Sequence, residues 1–183
     1  MKPRAIEGLD PDGTLADNAE RIVRVRLDEL CGFMPRAADP EEWVALHDMR
    51  IAAKRLRYVL EVTGDVFGPY ATTATKHVKE LQDLLGEIHD CDVQIPATAA
   101  SAQRLVQADA DALVTLAGDA PDLDPKLLAQ APHLRDHTGV AALAAHLRAR
   151  RRVLFTRFLE RWDELERKGF RARLEYAIGE RTA

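Results

Sequence analysis

Cysteine is scarce in this chain, with Cys31 and Cys91 alone, and both are flanked by helical apolar pattern. That scarcity excludes a disulfide framework and a cysteine-rich metal site, and it predicts two free thiols in a reducing compartment. Long apolar runs are missing too. None approaches the roughly 20 residues needed to cross a bilayer, and residues 1–8 carry no apolar stretch of the export type, so the sequence predicts a cytoplasmic protein with no membrane partner. Alternating β-branched runs are absent, which argues against a sheet. An excess of positive charge is absent as well: the formal net charge is -4, which argues against a general nucleic-acid coat and any specific nucleic-acid partner.

Alanine, leucine, arginine and glutamate dominate what remains, and glycine and proline fall between periodic segments. The pattern predicts an all-α fold, a helical bundle of about six to seven helices, and 183 residues suit a single domain. A first helix starts near Thr14, with Asp17 three residues on as in a capping box, and runs to about Met34. Asp39 as cap and Pro40 at the first helical position open a second, which stops near Gly64. Pro69 opens a third, and Pro96 ends it. Residues 97–117 form a weaker helix, 118–139 a Pro- and Asp-rich loop with one short helix, 140–168 a long basic helix and 170–179 a last one. The motifs concentrate in 14–96, the weak helix and loop occupy 97–139, and basic helices fill 140–180.

Charge is unevenly spread. Acid collects in Asp109, Asp111, Asp119, Asp122 and Asp124, and base collects in His47–Arg57 and again in 148–161, which focuses positive potential locally. His47, Arg50, Lys54 and Arg57 recur at spacings of three, four and three, so a helix advancing about 100° per residue stacks them in one row. Leu46, Met49, Ala53, Leu56 and Leu60 flank the row on one side and Val44, Ile51 and Val62 on the other, while Asp48 and Arg55 form a separate polar arc. An ordinary amphipathic helix has one apolar and one solvated arc. A basic row between two apolar rows reads instead as the lining of a cleft between packed helices. Like charges at these spacings repel, and Glu61 neutralises only part of them, so something anionic belongs opposite.

The third helix offers a facing surface, with Lys79, Gln82, Asp83, Gly86 and Asp90 on one side. Gly86 is expected to let two backbones approach. Asp83 and Asp90 are expected to orient Arg50 or Arg57 through charge-assisted hydrogen bonds, and Lys79 with Lys76 adds positive charge. Arg26 projects among Ala19, Ile22, Val23 and Leu30, so it either snorkels out along its stem or reaches into the same cleft. His146, Arg150, Arg157 and Arg161 line up within an arc of about 60° and make a second basic face.

H-x-x-R-x-x-x-K-R-L-R-Y at His47–Tyr58, followed by K-x-L-Q-x-x-L-G-x-x-x-D-x-D-V at Lys79–Val93, resembles the CHAD family, the conserved histidine α-helical domain. L-x-x-N-A-x-R-I-x-x-x-R-L at Leu15–Leu27 is similar to the helix leading into that motif. The resemblance covers residues 47–93 directly and is loose beyond Pro96. It implies a helical bundle in two pseudo-repeated halves that binds inorganic polyphosphate through basic side chains, catalyses no reaction and needs no cofactor. Carried over, the contacts are His47, Arg50, Lys54 and Arg57, with Lys79 and Arg26; beyond the resemblance, Lys76, His146, Arg150, Arg157 and Arg161 are expected to add contacts to the polyanion, and Tyr58, Asp83 and Asp90 to orient the cations. This chain departs from the pattern in showing one clear copy of the histidine motif, His146-x-x-x-Arg150 being a degenerate shadow of a second, and no triphosphate-tunnel domain. A homodimer would restore the second half, and polyphosphate granules are the expected point of association.

Linear polyphosphate has no base edges and no apolar surface, so spaced cations must do the recognising, arginine as a fork and lysine as a point charge. Other readings compete. Residues 10–17, D-P-D-G-T-L-A-D, match the first motif of haloacid-dehalogenase-type phosphatases, but that chemistry needs a strand ahead of the aspartates, and a turn with a helix cap explains them. His47-Asp48 and His89-Asp90 suggest a metal-dependent phosphohydrolase of the HD type, although Asp48 lies about 100° from His47 on the wheel. A helical adaptor acting through 140–168 is the third alternative.

Overall fold

A computed structural model of the chain describes residues 2–120, 122 and 124–180. Six α-helices account for most of them: α1 Leu15–Cys31, α2 Trp43–Thr63, α3 Tyr70–Ala117, α4 Pro125–Leu128, α5 Asp136–Arg167 and α6 Phe170–Gly179, with short 3₁₀ turns at Arg36–Ala38 and Gly64–Val66. The fold is all-α, with no strand among the described residues. No described helix is long and apolar enough to cross a membrane.

Local chemistry sets several boundaries. The Thr14 hydroxyl accepts from the Asp17 N–H at 3.1 Å and donates to the Asp17 carboxylate at 2.7 Å, which satisfies one of the orphan donors at the start of α1. In the preceding turn the Asp10 carbonyl accepts from the Gly13 N–H and its carboxylate from the Asp12 N–H. The phosphatase-like letters are therefore a turn and a helix cap. Gly169, at φ +66°, supplies the left-handed residue that separates α5 from α6.

Several boundaries differ from expectation: α1 ends at Cys31 rather than Met34, α5 begins at Asp136 rather than Val140, and two further differences have a clear cause. Asp39 does not cap α2: its carboxylate accepts from the Glu41 N–H at 2.9 Å, so the Asx-type turn consumes Pro40 and the helix begins at Trp43. Pro96 does not end the third helix but lies inside the 48-residue α3. Proline removes one N–H and its ring crowds the carbonyl four residues back. Here the alanine-rich stretch after it favours helix, and no glycine between Gly86 and Gly118 offers an inexpensive exit.

The chain divides into two compact units, one of residues 1–89 with 153–183 and one of 90–152, as far as these are described. The first holds a dense aliphatic core: Val23, Leu27 and Leu30 of α1, Met49, Ala52, Leu56 and Leu60 of α2, Leu81, Leu85 and Ile88 of α3, Phe158 and Leu165 of α5, and Leu174 and Ile178 of α6 are all buried. Truncating one such leucine to alanine costs about 2–5 kcal/mol. The second unit is sparsely cored and is held by polar links. The buried Asp109 accepts from the His133 N–H at 3.0 Å and pairs with the His133 and His137 rings at 2.9 and 2.8 Å. Burial acts to raise the Asp109 pKa, but the bonds from His137 and His133 prevail and hold it below the usual range. Arg151 pairs with Asp92 in the same unit.

Candidate functional site

Both cysteines are free thiols. Burial pushes the Cys31 thiol up to about 11 and raises the Cys91 thiol too, so neither is a nucleophile near neutrality. The chemistry of the first unit lies instead along the seam between α2 and α3. Three observations fix its register: His47 Nδ1 is 3.3 Å from His89 Nδ1, Arg50 Nε lies 3.5 Å from where a Cβ on Gly86 would stand, and Arg57 Nε donates to Gln82 Oε1 at 2.9 Å. The helices run antiparallel, and the basic row meets the face carrying Gln82, Gly86 and His89.

His47 and His89 stack with ring centroids 4.5 Å apart. Facing Nδ1 atoms form a hydrogen bond only when one ring donates and the other keeps its lone pair. Desolvation lowers the His47 pKa below its ordinary 6.5, with His89 and then Arg50 adding to the shift against the opposing pull of Asp48. His47 is therefore neutral at pH 7.

Arg50 is half-buried, and its Nε, like that of Arg161, is enclosed without an acceptor among the described residues. A buried donor left unmade costs about 1–3 kcal/mol. Gly86 gives the guanidinium room rather than drawing two backbones together, since only Arg50 Nε comes within 4 Å of the Cβ position. Lys54 is exposed and lies 5.6 Å from the Tyr58 ring centroid, and the Arg57 guanidinium lies 4.6 Å from it. Tyr58 thus supports two cations of the row. Arg57 is also matched by Glu61 at 2.9 Å. Arg50, Lys54, Lys76 and Lys79 have no ion pair among the described residues.

Several expectations are corrected by this geometry. Asp83 and Asp90 do not orient the row's arginines: both are exposed and make no ion pair among the described residues. Gln82 and Glu61 hold Arg57 instead, because the contact face runs through positions 82, 86 and 89, and positions 82 and 89 each lie one residue before an aspartate. His89 was the residue missed as a partner of the row, although its spacing of three from Gly86 and seven from Gln82 puts it on that face. Arg26 neither snorkels out nor joins the row. It is 9% exposed and bonds the buried Glu29 at 2.7 Å and the Arg4 carbonyl at 3.2 Å, tying the N-terminal segment to α1. The apolar flanks differ too. Leu46, Met49, Ala53, Leu56 and Leu60 are buried as expected, whereas Val44 and Val62 are 46% and 80% exposed, so the row has one hydrocarbon wall and one open side.

The second basic face does not act as a set. Arg161 is committed to Glu80, Glu164 and the His77 ring, with its Nη2 2.6 Å from His77 Nδ1. Lys168 and then Arg161 hold the Glu164 carboxyl down at about 2, and burial followed by Arg161 lowers the His77 pKa. Arg157 is exposed, with no ion pair among the described residues. His146 and Arg150 are exposed residues of the second unit. Among the described residues no group of three or more His, Cys, Asp or Glu side chains could hold a metal ion, so the two His-Asp pairs do not assemble a centre of the HD type.

The domain is thus all-helical, and its distinguishing feature is a row of cations seated on a histidine pair. The sequence model of one family, the CHAD domain, matches residues 3–99, just over half of the chain, and the protein belongs to that family. The matched region spans α1, α2 and the part of α3 that faces the row. No curated protein and no solved structure matches the chain.

Proposed function

We propose that this protein binds inorganic polyphosphate along the α2–α3 seam without catalysing a reaction. The observation that carries the reading is that Arg50 and Lys54, adjacent on one helix face, have no carboxylate partner among the described residues, where Arg50 also keeps a buried Nε–H without an acceptor. Membership of the CHAD family supports it. Arg50 and Arg57 supply forked donors, Lys54, Lys76 and Lys79 supply point charges, and His47 becomes a further cation when an anion beside it raises its pKa. Each charge-assisted hydrogen bond contributes about 1.5–3 kcal/mol, so a few contacts give useful affinity after ordering costs. The expected site of action is the cytoplasm, on polyphosphate granules.

Titration with polyphosphates of graded length, with DNA and heparin as competitors, tests the reading on the wild type and on Arg50→Ala/Lys54→Ala. Saturable binding that lengthens with the chain, weakens with salt and is lost in the double variant is expected. Equal binding by the variant would refute the site, and preference for DNA would refute the ligand.

A further inference from the structure

A second feature of the first unit has the opposite electrostatic character. A cavity of about 690 Å³ opens where the end of α1 and the turn after it meet the last turns of α5 and the start of α6. That volume falls within the range of small-molecule sites, about 300–1,000 Å³. Met34, Pro35, Leu165 and Phe170 contribute hydrocarbon and aromatic atoms to its lining, and Trp162, only 5% exposed, contributes a small accessible part of its indole. The indole Nε1–H of Trp162 is enclosed without an acceptor among the described residues.

The lining is also acidic. Asp163, Glu166 and Glu175 belong to it, against one cation, Arg171. Arg171 is already bound by Glu175 at 2.9 Å and by Asp28. The Asp163 and Glu166 carboxylates are on exposed residues and make no hydrogen bond or ion pair among the described residues. Cys31, which also lines the cavity, is a neutral thiol, because burial raises its pKa to about 11. It contributes an uncharged, weakly polar patch.

We infer that this cavity is a binding site for a small organic cation, an ammonium group carried on an apolar body. The apolar lining receives the hydrocarbon body by hydrophobic burial, and the free carboxylates at the rim hold the ammonium by Coulomb attraction. A hard metal ion is a poor occupant, since it needs converging oxygens and no metal-holding cluster exists among the described residues. An anion is excluded by the charge balance. The site is independent of the polyanion reading: no residue of the cavity belongs to the α2 row.

Fluorescence tests this on the intact chain. Trp43→Phe removes the other tryptophan, which is 60% exposed at the start of α2, and leaves Trp162 as the reporter. Titration with 2-phenylethylammonium is expected to give a saturable change in emission at roughly millimolar concentration or below, as suits a ligand of this size. The isosteric alcohol, 2-phenylethanol, should bind roughly fivefold or more weakly. Asp163→Asn/Glu166→Gln, checked for an unchanged melting curve, should erase that preference while leaving the alcohol's binding as it was, an effect in keeping with two partly screened charges. Absence of saturation, equal affinity for amine and alcohol, or an undiminished preference in the double variant would each overturn the proposal.

Discussion

Two pairs of helical cations in the first unit, Arg26 with Arg161 and Arg50 with Lys54, end in opposite electrostatic surroundings. Arg26 and Arg161 have carboxylates within reach: Glu29 and Glu164 lie three residues on along their own helices, and Glu80 meets Arg161 from α3. Their charge is spent on the fold. Arg50 and Lys54 have only Leu46, His47, Ile51, Ala53, Arg57 and Tyr58 at helical spacings of three and four, and no acid of α3 pairs with them. What separates the two pairs is therefore the local supply of acid, and spacing among the cations does not reveal it.

The largest expected effect tests that contrast directly. Arg50→Ala/Lys54→Ala should weaken polyphosphate binding by about a hundredfold or more, since two charge-assisted contacts contribute roughly 3–6 kcal/mol together, with little change in urea midpoint. Arg161→Ala should do the reverse, lowering the midpoint while changing affinity less than about threefold. Loss of binding in Arg161→Ala comparable to that in the double variant would erase the distinction.

Arg26→Ala comes next. It leaves Glu29, whose side chain is 2% exposed, buried without its cation, a change that costs about 3–5 kcal/mol. Urea unfolding should register that loss, and Arg26→Ala/Glu29→Gln should recover part of it. The folded fraction should bind polyphosphate as the wild type does.

A smaller effect comes from pH. The folded His47 pKa lies below its unfolded 6.5, so the stability it contributes is fully present above about 6.5 and is lost as pH falls through the lowered value. Binding runs the other way. An anion beside the ring raises its pKa, binding takes up a proton, and affinity should rise severalfold between about pH 7.5 and 5.5, never more than tenfold per unit for one proton. His47→Asn should flatten that slope, as seen by calorimetric titration at several pH values.

The smallest effect concerns Gly86. Because an added Cβ meets only Arg50 Nε, at an ordinary 3.5 Å, Gly86→Ala should stabilise the protein by up to about 1 kcal/mol through helix propensity. Thermal melting reads the gain. A marked loss of stability would mean that the two backbones are closer than this geometry allows.

Much of the fold was legible because its signals are local. The Thr14 cap, Gly169 ahead of α6 and the periodic core positions of α1 and α2 each depend on residues a few places apart. Pro96 was misread for the same reason: its local penalty is real, but the helix-favouring residues after it carry α3 onward. At the site, the row itself was legible and its facing set was not. One residue of register separates Gln82 from Asp83 and His89 from Asp90, and a rotation of 100° on a helix decides which of each pair touches α2.

By itself the sequence determined that the chain is helical, that His47, Arg50, Lys54 and Arg57 share a face, and that the CHAD motif is present, because periodicity and spacing are properties of one segment at a time. Only the tertiary structure decided that His47 meets His89, that Arg161 is also paired with Glu80 of α3, that Arg50 keeps a donor unmatched among the described residues, and that an acid-rimmed cavity forms beside Trp162. Those outcomes depend on how segments distant along the chain approach one another, and packing of the shared apolar core sets that approach.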